Sequence, residues 1–391
     1  MLEESRSMQN TVPHTLPNRG PRRVFLGNAA AAAGVFAATS HKGFGQAGAA
    51  TPALPWLEEV QRPPEGAPAT MDLPPLVPEI GVAAEPPATP TAWAAIRGGI
   101  EKAWNDVLGP APPAPPLAIE VVREEAVDGC RRRLVRYACE EGVTTESYVL
   151  LPPAEMFAGN KRLPGVVAFH STVDSTNECL AGLREGPDRM LGLTLARRGY
   201  VTICPRCFLW DDKSGYADHV RRFQERHPGG LGMRKMLSDG SRALDVLAAT
   251  DGVDPGRLGC VGHSLGAKEA IYLAAFDGRV KATVAHDGGL GRRQSNWDAV
   301  WYLGPDVPAR FDHHQLLALA APGAVLVQGG GRGASDGAAS WPFVAAALPI
   351  HKLYGGPARL GLDIHGGGHN LTDRAIERLL AWLTTWLAVS E

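Results

Sequence analysis

The feature that most constrains the fold of this chain is a series of short, uninterrupted apolar runs separated by helix-like segments. Six such runs follow one another, at residues 165–169, 200–204, 258–261, 280–285, 324–328 and 360–364. Since polar residues do not alternate with apolar ones in them, the runs are typical of parallel strands buried on both faces. Helices are expected at about 187–198, 232–250, 265–276, 339–349 and 371–388. The pattern predicts an α/β fold with a doubly wound, mostly parallel sheet and helices on both faces.

The chain before these runs has a different character. Residues 118–152 contain β-rich runs divided by turn signals, which predict an antiparallel entry to the sheet. Residues 51–92 and 109–116 are rich in Pro and Ala, so we expect them to be extended and poorly packed, in an arm over 51–117 with one short helix near 93–107. The main α/β domain is thus predicted to span 118–391. Two long gaps within it, 207–230 and 288–311, are candidate lid or pocket insertions.

The first 50 residues resemble a targeting signal. Arg22 and Arg23 precede Phe25-Leu26 and a short Ala-rich apolar run, which is the pattern of a bacterial twin-arginine signal peptide. A core helix behind a basic turn is the alternative interpretation. We therefore assign residues 1–50 to a signal for the twin-arginine export machinery and expect a periplasmic or secreted protein.

Composition excludes several classes of function. The 391 residues carry 39 Lys+Arg against 41 Asp+Glu, so no strong positive charge is present to attract nucleic acid. No apolar stretch reaches the roughly 18–20 residues of a spanning helix, so stable membrane insertion is not expected. Six cysteines are too few for a disulfide scaffold. The pair Cys204-Pro205-Arg206-Cys207 ends an apolar run instead of opening a helix, which predicts structural cysteines or one local disulfide instead of a redox site.

One motif points to nucleophilic chemistry. The run 258–261 leads directly into Gly262-His263-Ser264-Leu265-Gly266, and a helical segment follows. A GxSxG sequence between a strand and a helix is the pattern of a nucleophile elbow, so Ser264 is expected to be the nucleophile. The N–H of Leu265, at the start of the helix, would donate to a developing oxyanion. A second match, Gly333-Ala334-Ser335-Asp336-Gly337, lacks an adjoining strand, so Ser335 is not expected to act.

A serine nucleophile of this kind requires a histidine base and a carboxylate, and each has two candidates. His365 and His369 both follow the last apolar run; His369 is preferred because it lies in the loop before the final helix. The spacing H-x3-H does not predict a metal site, because the three intervening glycines disfavour a helix; no metal and no cofactor are expected. Asp287 follows the run 280–285, whereas a glycine-rich stretch separates Asp336 from the run 324–328.

These residues carry a family resemblance. The stretch GHSLGAKEAIYLAAFDGRVKATVAHDGGLG (262–291), with SNWDAVWYLG (295–304), resembles bacterial α/β-hydrolases of the dienelactone-hydrolase-like and acetyl xylan esterase-like group. It is similar, more distantly, to glucuronoyl esterases. The resemblance implies an α/β-hydrolase fold over roughly 120–390 and favours Asp287, since in glucuronoyl esterases the acid follows the strand after the nucleophile helix. Dienelactone hydrolases have Cys in place of Ser264, and glucuronoyl esterases have Arg in place of Leu265, so neither activity transfers directly.

Further site residues follow from this arrangement. The second oxyanion donor should come from the loop after 165–169, from the N–H of Ser171 or Thr172. Trp297 and Trp301 lie in the insertion beside Asp287, where they could contact a sugar, acyl or aryl group or could simply pack a lid onto its own domain.

Together, the sequence predicts an exported serine hydrolase that cleaves a small-molecule or glycan carboxylic ester through an acyl-enzyme intermediate. A peptidase of the same fold is one alternative, although such an enzyme would normally carry an additional gating domain. A non-catalytic sugar-binding protein that retained the fold is the other alternative.

Overall fold

The structure is a computed structural model that describes residues 54–77, 87–331 and 337–387. The expected signal at 1–50, the alternative acid Asp336 and Ser335 all lie outside these residues. Within the described ranges, no helix is both long enough and apolar enough to span a bilayer.

One nine-stranded sheet organises the described chain. Its order is β1-β2-β3-β5-β4-β6-β7-β8-β9. The pairs from β1 to β5 are antiparallel, and those from β5 through β4 to β9 are parallel. The strands are β1 (Glu120–Val127), β2 (Cys130–Glu140), β3 (Val143–Leu151), β4 (Leu163–Phe169), β5 (Val201–Pro205), β6 (Val253–His263), β7 (Val280–His286), β8 (Ala324–Gly329) and β9 (Leu360–Ile364). The predicted α/β fold with an antiparallel entry is confirmed.

Helices cover both faces of this sheet. Along β4, Val167 and Phe169 belong to one apolar cluster with α2, α6, α7, α8 and α9, whereas Val166 and Ala168 belong to a second cluster with α1, α4 and α10. Successive side chains of a strand point to opposite faces, so apolar residues at every position are needed when both faces are covered. The helices are α1 (Leu57–Val60), α2 (Pro90–Leu108), α3 (Thr176–Leu180), α4 (Leu191–Arg197), α5 (Tyr216–Arg226), α6 (Gly232–Ala249), α7 (Leu265–Phe276), α8 (His313–Leu319), α9 (Trp341–Lys352) and α10 (Asp373–Trp386).

The parallel strands place several loops at one edge of the sheet. In β4 and β6, Phe169 pairs with Gly262, and at the ends of β6 and β7, His263 pairs with His286. The chain therefore leaves three adjacent strands at nearly the same level. This edge, at the carboxyl ends of the strands, is where α/β folds bind their ligands.

Helix α2 packs more tightly than the composition of its segment suggests. Thr89 caps its N-terminus by accepting the Ala92 N–H, and Pro90 occupies the first helical position, where it disrupts no hydrogen bond. Trp93, Ile100, Trp104 and Leu108 form one fully buried face. The helix expected near 93–107 is thus present, and it packs into the core of the fold. A few large apolar residues at helical spacing suffice to anchor a Pro/Ala-rich segment.

Residues 54–62 cover the end of the sheet beside β9. Trp56 stacks on Trp382 of α10 with 6.1 Å between ring centroids, and Val60 packs against Gly361. The Gln61 side chain donates to the carbonyls of Ala358 and Leu360. A covered edge strand cannot pair with another chain, which protects the fold from edge-to-edge aggregation.

The packing of α2 predicts that Trp104→Ala destabilises the protein strongly. The Trp104 indole N–H donates to Gln315 Oε1 at 2.9 Å, and its ring contacts Tyr272 and Phe311 edge-on. Removing such a buried ring should lower the free energy of unfolding by about 3–5 kcal/mol. Lys102→Ala, at an exposed site on the same helix, is the control and should change it by less than about 0.5 kcal/mol. Guanidinium denaturation measures both; equal effects would show that α2 is not part of the cooperative core.

Candidate active site

Ser264 occupies a strained turn between β6 and α7. Its φ of 57° and ψ of −113° lie outside the regions that non-glycine residues ordinarily adopt, and Leu265 begins the helix immediately afterwards. The Ser264 N–H donates to the His286 carbonyl at 2.8 Å, which ties the turn to β7. The residue is half-buried. These are the strand, turn and helix that a nucleophile elbow requires.

The two glycines of the motif permit this turn. A Cβ atom at Gly262 would overlap the Gly266 carbonyl, and a Cβ at Gly266 would overlap the Phe169 carbonyl at the end of β4. The backbone of the elbow thus contacts itself and the neighbouring strand. Side chains larger than hydrogen cannot occupy either position without moving the strand ends apart.

Asp287 lies at the end of β7, next to the elbow. It adopts a φ of 54°, its N–H donates to the Gln328 carbonyl at 2.9 Å, and its side chain is fully buried. The Gly330 N–H donates to Oδ1 at 2.6 Å. The Nε2 atoms of His286 and His365 lie 3.1 Å from Oδ2 and 3.7 Å from Oδ1, respectively.

These neighbours determine the charge of Asp287. Burial by itself would raise the pKa of the carboxyl, but the imidazoles of His286 and His365 and the Gly330 N–H together hold that pKa well below its usual range. The group is therefore a carboxylate at neutral pH. A buried carboxylate that faces histidines can orient an imidazole and stabilise its protonated form.

The two candidate bases occupy different environments. The His365 side chain is fully buried, is stacked on His286 at 4.8 Å, and accepts the Gly367 N–H at Nδ1. His369 is half-exposed, in the loop between β9 and α10. One of its ring nitrogens lies within 4.8 Å of an Asp287 oxygen and of a His263 nitrogen. Of the two, His365 has a fully buried side chain, whereas His369 is half-buried and lies near Asp287 in the loop before α10.

The loop that carries His369 is attached to the loop after β8. The Gly368 N–H donates to the Gly330 carbonyl at 2.9 Å, and a Cβ at Gly330 would overlap the Gly368 carbonyl. Gly330 also donates to Asp287 through its own N–H. One glycine thus contacts both the acid and the segment next to the candidate base, which fixes their separation.

One of the two donors expected from the loop after β4 is already bound. The Ser171 N–H is already donated to Asp188 Oδ2 at 3.0 Å, so it is not available to an oxyanion. Thr172 is exposed, and its side chain hydrogen-bonds the buried Tyr302 hydroxyl. Leu265 lies at the first position of α7, where a backbone N–H has no partner within the helix.

The aromatic residues of the second insertion differ in exposure. Trp297 is fully buried, donates its indole N–H to the Gly289 carbonyl, and has the Lys268 ammonium 3.8 Å from its ring centroid. Its faces contact protein, so it does not present the open surface that a substrate would need. Trp301 is half-buried and contacts Tyr216 of the first insertion, with 5.6 Å between ring centroids. The two insertions therefore meet beside the site.

Sequence reasoning missed the partner of the elbow histidine. His263 Nδ1 lies 3.0 Å from Asp188 Oδ1, and both side chains are almost completely buried. The same carboxylate accepts the Ser171 N–H. Asp188 thus links the elbow to the loop after β4. His263 could have been noticed within the motif, but nothing local marks Asp188, which lies 75 residues earlier.

Comparison with known proteins identifies this architecture. Residues 156–301 match the family model described as the dienelactone hydrolase family. A glucuronoyl esterase of Solibacter usitatus superposes with a TM-score of 0.65 at 21% identity, over 82% of this chain and 99% of its own. The chain has the α/β-hydrolase fold. A Bacteroides fragilis protein assigned as an acetyl xylan esterase gives a TM-score of 0.57 at 16% identity, over 71% of this chain and 76% of its own.

One curated relative also matches. A 4-O-methyl-glucuronoyl methylesterase of Sodiomyces alcalophilus is 34% identical over 22% of this chain, and the chain spans only 23% of that relative's length. The resemblance to dienelactone-hydrolase-like and glucuronoyl esterases is confirmed. The family match and these relatives support a carboxylic ester hydrolase.

The cysteines are structural. All six lie in the described part of the chain, are buried and carry free thiols, so the pair Cys204 and Cys207 forms no local disulfide here. Burial raises the pKa of both thiols above the usual range. Since the thiolate is the reactive form, neither cysteine suits redox chemistry.

This burial predicts that the native protein is inert to thiol reagents. A chromogenic disulfide reagent should modify almost no thiol in the folded protein and six per chain after denaturation without reductant. Protein purified from its cellular destination is the proper sample, because any disulfide formed after export would lower the second count. A count of four in denaturant would contradict the free thiols of this structure.

Proposed function

We propose that this chain is an exported carboxylic ester hydrolase in which Ser264, His369 and Asp287 form the catalytic triad. The observation that carries the proposal is the strained, half-buried Ser264 at an elbow adjoining a buried carboxylate that faces histidines. The chain order Ser, Asp, His matches that of α/β-hydrolases. The position of the acid after β7, the strand following the nucleophile helix, supports Asp287 as the orienting group.

The chemistry follows from these positions. Ser264 Oγ attacks the ester carbonyl while His369 accepts its proton, and the imidazolium then donates that proton to the leaving alcohol. Water, deprotonated by His369, hydrolyses the acyl-enzyme in the second half of the reaction. Because Asp287 stays ionised, its charge stabilises the imidazolium in both steps without taking up the proton.

The oxyanion is assigned to two backbone donors. The Leu265 N–H at the start of α7 is the first, and the Thr172 N–H takes the place considered for Ser171, whose N–H is bound to Asp188. Preorganised donors of this type each contribute roughly 10²–10³ in rate, because they bind charge that develops only in the transition state.

We assign a sugar ester as the substrate. The solved relatives include enzymes named for glucuronoyl and acetyl xylan esters, and the half-buried rings of Trp301, Tyr216 and Trp210 form a connected aromatic surface next to His170. Aromatic faces of this type contact sugar and aryl groups. A peptidase is less favoured because, in the described residues, α2 packs into the core instead of belonging to a gating domain.

Export by the twin-arginine route is part of the proposal. Arg22 and Arg23 precede the apolar run at 24–38, and the described domain buries six free thiols. Thiols stay reduced when a chain folds in the cytoplasm, and that is where a twin-arginine substrate folds before transport. A periplasmic or secreted location is therefore consistent with a protein that keeps its six cysteines unpaired.

The nucleophile is tested with two serine variants. Wild-type protein should hydrolyse members of a panel of methyl glucuronate, acetylated xylan and aryl esters, and Ser264→Ala should lose turnover by on the order of 10⁶. Ser335→Ala, at the other GxSxG match, is the matched control and should be nearly unchanged. A fluorophosphonate probe should label only proteins that retain Ser264. Labelling of Ser264→Ala but not of Ser335→Ala would show that the other serine is the nucleophile.

The acid is tested with the two candidate carboxylates. Asp287→Ala should lower kcat by about 10⁴, because the imidazole loses the partner that fixes its orientation. Asp336→Ala should retain activity within roughly tenfold, a gap of about 4 kcal/mol in the activation barrier between the variants. Thermal melting checks that both are folded. The reverse order of activities would move the acid to the loop after β8, and intermediate losses in both variants would mean that they share the role.

A further inference from the structure

His263 is a buried titratable group that the proposed mechanism does not use. Its side chain is 2% exposed. Nδ1 lies 3.0 Å from the Asp188 carboxylate, which can only accept a hydrogen bond. The proton is therefore on Nδ1, and Nε2 presents a lone pair. Within the described residues, that buried Nε2 has no hydrogen-bond partner.

The neighbours of this lone pair have the chemistry of metal ligands. One ring nitrogen of His263, one carboxylate oxygen of Asp287 and one ring nitrogen of His369 all lie within 4.8 Å of one another. A tetrahedral zinc site with bonds of about 2.0–2.1 Å requires ligand atoms roughly 3.4 Å apart. His369 is half-buried and belongs to a glycine-rich loop, whose backbone freedom allows the small adjustment that would close the set.

We propose that His263, Asp287 and His369 form a binding site for Zn²⁺, and that the bound metal reversibly inhibits the hydrolase. Two imidazoles and a carboxylate are ligands that zinc prefers, with water in the fourth position. Asp188 then has a defined role, because a carboxylate that accepts the Nδ1–H of a ligating histidine orients the ring and increases its basicity. The inhibition rests on the proposed function: a His369 nitrogen bound to metal, beside a metal-bound Asp287, cannot act in proton transfer.

A second group of potential ligands around Asp287 is less suited to a metal. His286, Asp287 and His365 also bring ligand atoms within 4.8 Å. However, His365 Nδ1 accepts the Gly367 N–H, so its Nε2 carries the proton instead of offering a lone pair. His286 Nε2 lies 3.2 Å from the Asn370 carbonyl, which is an acceptor. These histidines hold the acid in place and leave the His263 side to the metal.

Metal binding is measured first, without reference to catalysis. Calorimetric titration of chelator-treated protein with Zn²⁺ should give one site per chain, and Co²⁺ should give the visible absorption of a tetrahedral nitrogen and oxygen site. His263→Gln keeps a donor for Asp188 but removes the imidazole nitrogen that would bind the metal, and should weaken Zn²⁺ binding at least tenfold. Asp188→Asn should weaken it by about 10–100-fold. His227→Gln, at a histidine paired with Glu140 away from the site, is the matched control and should bind Zn²⁺ like the wild type.

Inhibition is measured second, with an ester substrate. Zn²⁺ at the concentration that fills the site should suppress turnover of the wild type, and a chelator should restore it. His263→Gln should keep its own metal-free rate at that Zn²⁺ concentration. Unchanged Zn²⁺ affinity in a folded His263→Gln, or no binding by the wild type, would overturn the site. Binding accompanied by unchanged or increased turnover would overturn the inhibition, whereas binding by a protein inactive on every ester would refute the proposed function alone.

Discussion

Parallel pairing of β4, β6 and β7 is the constraint on which the candidate site depends. It ends three strands at one level, so that the loop after Phe169, the Ser264 turn and Asp287 become neighbours although they are distant in sequence. Contacts between backbones then fix their separation: Gly262 against Gly266, and Gly266 against Phe169. Main-chain hydrogen bonds from Ser264 to His286 and from Asp287 to Gln328 continue the same attachment across β7 and β8.

A buried carboxylate within this frame requires compensation. Asp287 is surrounded by His286, His365 and the Gly330 N–H, and these donors outweigh the cost of burying its charge. The arrangement separates two tasks among the histidines. The buried rings of His286 and His365 stack on each other beside the acid. His369 lies in the following loop, which hydrogen-bonds Gly330, and Gly330 in turn donates to Asp287. Burial and exposure, not residue type, distinguish the candidate base from its neighbours.

A second carboxylate, Asp188, performs a similar function on the other side of the elbow. It joins His263 of the elbow to the Ser171 backbone, and these hydrogen bonds fix the position of the loop expected to bind the oxyanion relative to Ser264. The two insertions add a wall of aromatic side chains, in which Tyr216 of one meets Trp301 of the other. The strand ends thus carry the candidate reacting side chains, and the two insertions form the aromatic wall beside them.

The sequence determined the order of strands and helices, because continuous apolar runs and the GxSxG motif are local patterns that can be recognised without knowledge of tertiary contacts. It also predicted Ser264 as the nucleophile, and it left His365 and His369 as candidate bases and Asp287 and Asp336 as candidate acids.

Tertiary structure decided what depends on partners distant in the chain. Periodicity and composition predicted none of four features of the structure. These are the burial of His365, the hydrogen bond from the Ser171 N–H to Asp188, the buried ring of Trp297 and the packing of α2 into the core. Each of these properties depends on contacts between segments that only the folded sheet brings together. Spacing along the chain does not show which groups hydrogen-bond one another or which side chains are buried by distant segments.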